Sequence, residues 1–349
     1  MRATTYSFIA LAIGIAIAGC GNKEETPAAA TGGTPGAAGS TGGGGEKMEI
    51  AVIPKGTTHD FWKHIHQGAN EAAGELGNVN INWQGPAVEN DKAGQINVVD
   101  TMISKGVKGI VLAPLDDQAL VASVEKAKAA NIPIVIIDSG IKTEDYVSFV
   151  ATNNENGGHM AGKEMIRLLG NKGRVAVLRY NAGSASTDQR EKGFLDELEA
   201  NGKGITIVSK DQYAGPTRES AHKAAENMLA AFVKSDGSPN LDGIYCPNES
   251  STAGMLKVLE GKQGWAGKVK FVGFDAAPDL IDALNKGEIN ALVVQNPEKM
   301  GHDSVKTIVE YLTGKNKSPE KRIDTGAYLI TKENVTQPEM AKLVSPAKE

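Results

Sequence analysis

Short apolar runs alternate with helix-length segments from residue 49 onward, and this alternation occurs twice along the chain. In the first half, residues 50–53 and 109–113 are aliphatic runs, and each is followed by a segment long enough for a helix. After residues 152–154 the scheme begins again, with an apolar run at residues 174–178. Strands that alternate with helices of this length predict parallel, doubly wound sheets.

The two halves also share a local pattern. Residues 108–114 and residues 242–247 each contain a charged residue, a glycine, an apolar run and a closing proline. A repeat at a separation of roughly 130 residues indicates two lobes of similar topology. Two such lobes that face each other across a cleft would form a clamp. We therefore predict an α/β fold with two similar lobes, each built on a doubly wound parallel sheet.

Acidic residues stand where predicted strands end. The run at residues 269–274 ends in Asp275, and Asp138 ends a corresponding run in the first half. Parallel α/β sheets bind their ligands at the carboxyl ends of the strands, where a carboxylate presents two acceptor oxygens. The alternative for Asp275 is a helix cap, but Pro278 and Asp279 already provide a helix start. The sequence therefore predicts that both aspartates contact a ligand.

Two helices are predicted beside these strand ends. The first covers residues 187–200, and the second covers residues 252–260 and follows a strand at residues 243–246. Arg190 lies in the first helix, where its guanidinium group can donate two parallel hydrogen bonds to neighbouring hydroxyls or to a carboxylate. The alternative is a solvent-exposed helical arginine that pairs with Asp188.

The first 20 residues have the composition of an export signal. Arg2 supplies a positive charge, and residues 6–18 are almost wholly apolar. This run is too short to span a membrane but suits a signal peptide. Residues 17–20 resemble the bacterial lipobox, in which the cysteine is diacylated and becomes the mature N-terminus. We predict a lipoprotein signal peptide at residues 1–20 and a lipid anchor on Cys20. The anchor would hold the protein at the extracytoplasmic side of a bacterial membrane, in the periplasm or at the cell surface. The alternative is an ordinary signal peptide with a chance cysteine.

The segment that follows lacks the side chains needed for a core. Residues 21–46 are mostly small and polar, so they cannot bury enough apolar surface to offset their chain entropy, and we predict a disordered linker. Cys246 is the only other cysteine, so a lipidated Cys20 leaves no intrachain disulfide. The formal net charge is -5 without a basic run, which argues against a nucleic-acid partner.

Residues 49–330 resemble the periplasmic sugar-binding proteins of the ribose/galactose type, which are type I binding proteins related to the ligand-binding domain of LacI-type repressors. The features that carry the resemblance are Phe61 and Trp62, residues 131–135 before Asp138, Gly157 and Gly158 with Ala161 and Gly162, Arg190 with Gly193 and Phe194, residues 272–275 with Pro278 and Asp279, and Gln295.

The resemblance implies both an architecture and a function. The chain would cross between the lobes near residues 152–154, 295–297 and 324–326. A sugar would bind in the interlobe cleft of a monomer that is not an enzyme, needs no cofactor and delivers the sugar to an ABC transporter permease. A sensor that docks on a chemoreceptor or histidine kinase, for example for an autoinducer-like sugar, stays open as an alternative. The implied N-terminal and C-terminal lobes are residues 47–153 plus 296–324 and residues 154–295 plus 325–345, respectively.

Residues at strand ends and helix starts are the expected sugar contacts. Sugars require flat apolar surfaces for their C–H faces and charged or bidentate groups for their hydroxyls. Trp62 falls at the stacking position of the family, with Phe61 beside it; the alternative is that both belong to the core. The complete set of predicted contacts is Lys55, His59, Phe61, Trp62, Asp138, Ser139, Arg190, Asn248, Asp275 and Gln295.

Several positions depart from the family pattern. Lys55 stands where the family often has a hydroxyl-bearing residue, Ala113 where it has asparagine, and Ser139 where it has arginine. Pro216 occupies the place of the usual second-lobe aromatic residue, with Tyr213 nearby. These departures make plain ribose less favoured, and another pentose, a hexose, a polyol or an acidic sugar derivative fits as well or better.

Other motifs have simpler explanations than a metal or nucleotide site. His59, His64 and His66 are close in sequence, but residues two apart on a helix point to different faces, so we predict no metal site. Residues 157–163 resemble half of a Walker loop, yet Glu164 replaces its serine or threonine. The small residues there predict a close-packed helix face instead.

Overall fold

The computed structural model describes residues 47–262 and 264–347. The predicted signal peptide, the predicted linker and Cys20 lie outside the described residues. None of the helices in the described part of the chain is long and apolar enough to cross a membrane.

Strands and helices alternate through three stretches of the chain. The first stretch contains β1 (Met48–Ile53), α1 (Asp60–Leu76), β2 (Val79–Trp83), α2 (Lys92–Lys105), β3 (Gly109–Leu112), α3 (Val121–Ala129), β4 (Ile134–Ile137) and β5 (Ser148–Ala151). The second contains α4 (Asn154–Leu169), β6 (Gly173–Arg179), α5 (Ala185–Asn201), β7 (Ile205–Tyr213), α6 (Arg218–Ala230), β8 (Gly243–Tyr245), α7 (Glu249–Gly261), β9 (Lys270–Phe274), α8 (Pro278–Lys286) and β10 (Ala291–Gln295). The third contains α9 (Pro297–Leu312), β11 (Arg322–Asp324), β12 (Ala327–Ile330) and α10 (Pro338–Leu343).

The strands form two six-stranded sheets with the same arrangement. Their orders are β11-β5-β4-β3-β1-β2 and β12-β10-β9-β8-β6-β7. Neighbouring strands run parallel except for β10 and β12, which pair antiparallel. When the sheets are matched strand by strand, β4 corresponds to β9 and β1 to β6. The predicted fold class, with two lobes built on doubly wound parallel sheets, is confirmed.

Each sheet is covered by helices on both faces, which is why its strands are apolar throughout. Along β1, Ile50 and Val52 pack into a cluster with α1 and α9. Ala51 and Ile53 point to the opposite face and pack with α2 and α3, because successive side chains of a strand alternate between faces. The second sheet lies in the same way between α4 and α5 on one face and α6, α7 and α8 on the other.

Within the described residues, the chain passes between the two sheets three times. It does so after β5, after β10 and between β11 and β12. As a result, α4 packs with α5 on the second sheet, and α9 packs with α1 on the first. Below, the first lobe is the first sheet with α1, α2, α3 and α9, and the second lobe is the second sheet with its remaining helices.

Two helices begin earlier than the sequence predicts. Helix α5 begins at Ala185 instead of residue 187, and α7 begins at Glu249 instead of residue 252. Asn248 is the N-cap of α7, and its side chain accepts a hydrogen bond from the backbone N–H of Ser251. Strand β8 ends at Tyr245, so the buried Cys246 lies just beyond the strand in which it was predicted.

Glycines allow two pairs of helices to pack at very close range. A Cβ added at Gly301 on α9 would overlap the carbonyl oxygen of Ile65 on α1. In the second lobe, a Cβ added at Gly158 on α4 would overlap the carbonyl oxygen of Arg190 on α5. The small residues around residue 158 therefore form the predicted close-packed helix face. This packing fixes the positions of α1 and α5, the two helices that carry predicted ligand contacts.

Gly301→Ala should lower the free energy of unfolding by about 1–3 kcal/mol, because the added methyl group forces α9 away from α1. Gly74→Ala is the matched control on α1, where no atom lies within 4 Å of the added carbon. Alanine there should raise the free energy of unfolding by about 0.5–1 kcal/mol through its better helix propensity. Urea unfolding followed by circular dichroism measures both values. Equal effects of the two substitutions would contradict close packing of α1 and α9.

Candidate functional site

A small polar cavity, with a free volume of about 30 Å³, lies between the two lobes, at the carboxyl ends of the strands of both sheets. All of the predicted ligand contacts except Ser139 line it, together with four residues that the sequence analysis did not identify. The complete lining is Lys55, His59, Phe61, Trp62, Glu89, Asp138, Tyr180, Ser186, Thr187, Arg190, Asn248, Asp275 and Gln295.

The two aspartates occupy equivalent places in the two lobes. Asp138 follows β4 and Asp275 follows β9, and both have positive backbone φ angles, of 59° and 69°. Each holds this conformation with its backbone N–H bonded to a neighbouring strand, at Val150 (3.1 Å) and Val293 (2.9 Å), respectively. Non-glycine residues in this conformation cost about 1–3 kcal/mol and concentrate at functional sites. The turns direct both carboxylates to the cavity.

Asp275 is a buried acceptor held by its own lobe. Its carboxylate accepts hydrogen bonds from the backbone N–H of Glu249 (2.9 Å) and from Nε2 of Gln295 (2.8 Å). Burial raises the pKa of Asp275 to about 6, against the opposing effect of Arg190. The side-chain carbonyl oxygen of Gln295, Oε1, is buried and has no hydrogen-bond partner among the described residues. Gln295 therefore presents an unused acceptor beside Asp275.

Arg190 enters the cavity from α5 of the second lobe. Nε donates to Asn154 (2.9 Å) and Nη1 donates to the carbonyl of Pro247 (3.0 Å). Nη2 lies 3.9 Å from Asp138 of the first lobe, and the guanidinium plane lies over the ring of Phe274. Arg190 is only 2% exposed, so it is not a solvated surface arginine. Its predicted surface partner Asp188 lies beside Arg179 instead.

Lys55 links the two lobes. It follows β1, and its ammonium group lies 2.7 Å from Asp138 of its own lobe. It also donates a hydrogen bond to Ser186 of the second lobe, at 2.9 Å. Lys55 is 3% exposed, so these partners replace the water that would otherwise surround its ammonium group.

Glu89 gathers three groups at the other side of the cavity. Its carboxylate lies 2.6 Å from Nδ1 of His59 and accepts from Nε1 of Trp62 (2.7 Å) and from the hydroxyl of Tyr180 in the second lobe (2.6 Å). Burial alone would lower the pKa of His59, but the Glu89 carboxylate reverses this effect and raises it to about 9. Burial alone would raise the pKa of Glu89, and contact with His59 lowers it to about 2.

The aromatic pair combines core packing with exposure to the cavity. Phe61 and Trp62 meet edge to face, with ring centroids 4.9 Å apart. Trp62 is 2% exposed and belongs to the core cluster of the first lobe, and Phe61 packs against that cluster. Both rings also line the cavity, so each is placed to offer an apolar surface to a ligand.

Two predicted contacts have other partners in the structure. The side-chain oxygen of Asn248 caps α7, and Nδ2 donates to Ser250. Ser139 does not line the cavity; its hydroxyl oxygen accepts a hydrogen bond from the backbone N–H of Ser186. A ligand role for these two residues remains a prediction.

The cavity contains equal numbers of basic and acidic groups. The basic residues are Lys55, His59 and Arg190, and the acidic residues are Glu89, Asp138 and Asp275. Each of these groups has an opposite charge close to it. The site is therefore suited to a neutral ligand with many hydroxyl groups, which can accept from the cations and donate to the carboxylates.

Candidate metal ligands lie in two places. Of the three clustered histidines, His59 contacts Glu89 and His66 stacks on Trp83. A separate group on α4 and α5 contains Glu155, His159 and Asp196. Lys192 donates to both carboxylates of that group, at 2.8 and 2.5 Å, so an ammonium group already occupies the place that a cation would take.

Sequence reasoning missed Glu89, Tyr180, Ser186 and Thr187. Tyr180 directly follows β6, so the strand-end argument used for Asp138 applies equally to it. Ser186 lies in the first turn of α5, which begins earlier than predicted. Glu89 lies six residues beyond β2 in a loop, and no local pattern marks it.

Residues 50–316 match the family described as a periplasmic binding protein domain. The chain belongs to the periplasmic binding protein family. This membership confirms the predicted resemblance and places the protein outside the cytoplasm.

This periplasmic binding protein is similar to sugar-binding proteins over most of its length. It is 30% identical to the D-apiose import binding protein of Paraburkholderia graminis over 297 residues, which cover 84% of this chain and 90% of the relative. An ABC transporter solute-binding protein of Agrobacterium vitis with bound D-fucose matches with a TM-score of 0.79 and 37% identity, over 85% of this chain and all of that one. A carbohydrate transporter solute-binding protein of Agrobacterium radiobacter in complex with D-arabinose matches with a TM-score of 0.79 and 30% identity, over 86% and 99% of the two chains.

The contact between His59 and Glu89 should make stability depend on pH. The folded protein holds the His59 proton up to about pH 9, whereas the unfolded chain releases it near pH 6.5. This stabilisation is therefore complete below about pH 6.5 and is lost as the pH rises through about 9. Glu89 has its effect at acidic pH, where its contribution to the stability of the folded protein is lost as the pH falls from about 4.5 through about 2.

Urea unfolding of the parent protein and of His59→Gln, between about pH 6 and about pH 9.5, measures the effect. The parent should lose more stability than the variant over this range, so their difference should shrink as the pH rises. A constant difference would contradict a protonated His59.

Proposed function

We propose that this periplasmic binding protein captures a neutral monosaccharide in its interlobe cavity and delivers it to an ABC transporter permease. The observation that carries the proposal is that Lys55 and Asp138 of the first lobe and Arg190 and Asp275 of the second line one cavity. The relative named for D-apiose import and the two solved structures with bound D-fucose and D-arabinose support a monosaccharide. Nothing in the comparisons supports the sensor alternative. The protein acts as a binding protein and not as an enzyme, and needs no metal or cofactor.

The cavity offers each part of a sugar a matching group. The guanidinium of Arg190 donates to two neighbouring hydroxyls, and the carboxylates of Asp138 and Asp275 accept from others. Oε1 of Gln295 supplies a further acceptor. Trp62 and Phe61 contact the C–H face of the ring.

Binding operates through closure of the lobes. A sugar that bonds to both lobes favours the closed arrangement because it has more contacts there than in an open one. The permease then recognises the closed surface. Residues 47–153 with 296–324 and residues 154–295 with 325–345 move as the two lobes of the clamp, and a monomer suffices for this mechanism.

The protein is held at the membrane by a lipid on Cys20. The support for this is the sequence of residues 17–20 after an apolar run. The linker at residues 21–46 then gives the lobes reach toward a permease in the same membrane.

Calorimetric titration with D-apiose, D-fucose, D-arabinose and D-ribose tests the proposed function. At least one sugar should bind the parent protein, and Asp275→Ala and Arg190→Ala should each weaken binding more than a hundredfold. This expectation follows because each substitution leaves buried sugar hydroxyls without their charged hydrogen-bond partner, and a hundredfold loss corresponds to about 2.8 kcal/mol. Asp282→Ala, at an exposed position of α8, is the matched control and should bind normally. Unchanged affinity in both site variants would refute the site.

Replacement of the lipidated cysteine tests the anchor. Cys20→Ser should release the protein from the membrane fraction because no thiol remains for the lipid. Cys246→Ser is the matched control and should stay with the membranes. Fractionation followed by immunoblotting measures both, and a membrane-bound Cys20→Ser protein would contradict the anchor.

A further inference from the structure

Two long helices begin at the cleft without a cap from their own N-cap side chain. Helix α1 follows His59 and α5 follows Ser184, and neither side chain accepts a hydrogen bond from its helix. Every other helix of thirteen or more residues in the described part of the chain has such a cap. The first N–H groups of a helix have no partner within the helix, so these two helix starts need partners from elsewhere.

Each of the two helix starts is capped by a side chain of the opposite lobe. Glu249 of the second lobe accepts at Oε2 from the N–H of Phe61 in α1, at 3.1 Å. Ser139 of the first lobe accepts at Oγ from the N–H of Ser186 in α5, also at 3.1 Å. Both donors are the second residue of their helix, which is a position that an N-cap side chain normally serves.

Both capping groups are fixed within their own lobe and lie next to a proposed ligand group. Glu249 and Ser139 are 2% and 0% exposed. Arg218 donates to the Glu249 carboxylate at 2.8 Å, and the N–H of Glu249 donates to Asp275 at 2.9 Å. Ser139 directly follows Asp138 in the sequence. The Ser139 cap therefore belongs to the same turn as Asp138, and the Glu249 cap is hydrogen-bonded to Asp275.

We propose that Glu249 and Ser139 are positioning residues that stabilise the closed lobes by capping the cleft helix of the opposite lobe. This inference rests on the proposed function, since it takes closure to accompany sugar binding. When the lobes separate, both caps are lost, and the N–H groups of Phe61 and Ser186 form hydrogen bonds with water instead. The caps therefore contribute only in the closed state. The negative charge of Glu249 adds to its effect because it lies at the positive end of the α1 dipole.

Glu249→Ala and Ser139→Ala should each weaken sugar binding about tenfold, which corresponds to about 1.4 kcal/mol, mainly through faster dissociation. The free energy of unfolding of the sugar-free protein should change less than the free energy of binding, because only its closed fraction has both contacts. Glu249→Gln keeps an acceptor oxygen and should recover most of the lost affinity. Asp91→Ala is the matched control because Asp91 caps α2 within one lobe. It should lower stability and leave affinity unchanged.

Calorimetry, stopped-flow dissociation and urea unfolding give these values. Unchanged affinity in both alanine variants would overturn the inference, as would a loss of stability without a loss of affinity. If the parent protein binds no sugar, the proposed function fails by itself. The inference is then tested in sugar-free protein by the distance between spin labels on the two lobes, attached at Thr101→Cys and Lys257→Cys, which are both exposed positions. Each alanine substitution should then lengthen that distance between the lobes, and no change would overturn the inference.

Discussion

A parallel sheet gathers the carboxyl ends of its strands at one edge, and this protein sets two such edges against each other. Polar groups at the two edges leave water when the lobes meet, so each needs a partner. Asp138 illustrates the solution, with Lys55 of its own lobe at 2.7 Å and Arg190 of the opposite lobe at 3.9 Å. Burial of an unpaired charge costs several kcal/mol. The equal numbers of basic and acidic groups in the cavity follow from this constraint.

The same constraint explains where the hydrogen bonds between the lobes lie. Tyr180 reaches Glu89, Lys55 reaches Ser186, and Glu249 reaches the start of α1. In each case a group of one lobe satisfies a buried polar group of the other. Closure and polar satisfaction are therefore coupled, and a sugar that replaces or adds to these bonds acts on the same equilibrium.

The alternation of apolar runs and helix-length segments was sufficient to predict two parallel sheets, because burial on both faces leaves a strong pattern in the sequence. The structure places Asp138 and Asp275, the two aspartates that follow predicted strands, at the cavity. The helix starts were less predictable. Serine-rich segments favour loops and caps as much as helices, so the early starts at Ala185 and Glu249 were missed.

Partners from distant parts of the chain leave no local pattern. Glu89 lies in a loop of the first lobe, and its role depends on Tyr180, which lies 91 residues further along the chain. Ser139 was predicted as a sugar contact from the family pattern, yet its hydroxyl meets an amide 47 residues away. Both contacts exist only because the two lobes are folded and apposed.

Small-angle X-ray scattering with and without sugar tests whether a sugar closes the two lobes around itself. The radius of gyration should fall when a sugar that binds is added at saturation. It should not fall with a sugar that does not bind, or with Asp275→Ala. A radius of gyration that stays the same at full occupancy would contradict the account, because the sugar would then bind without bringing the lobes together.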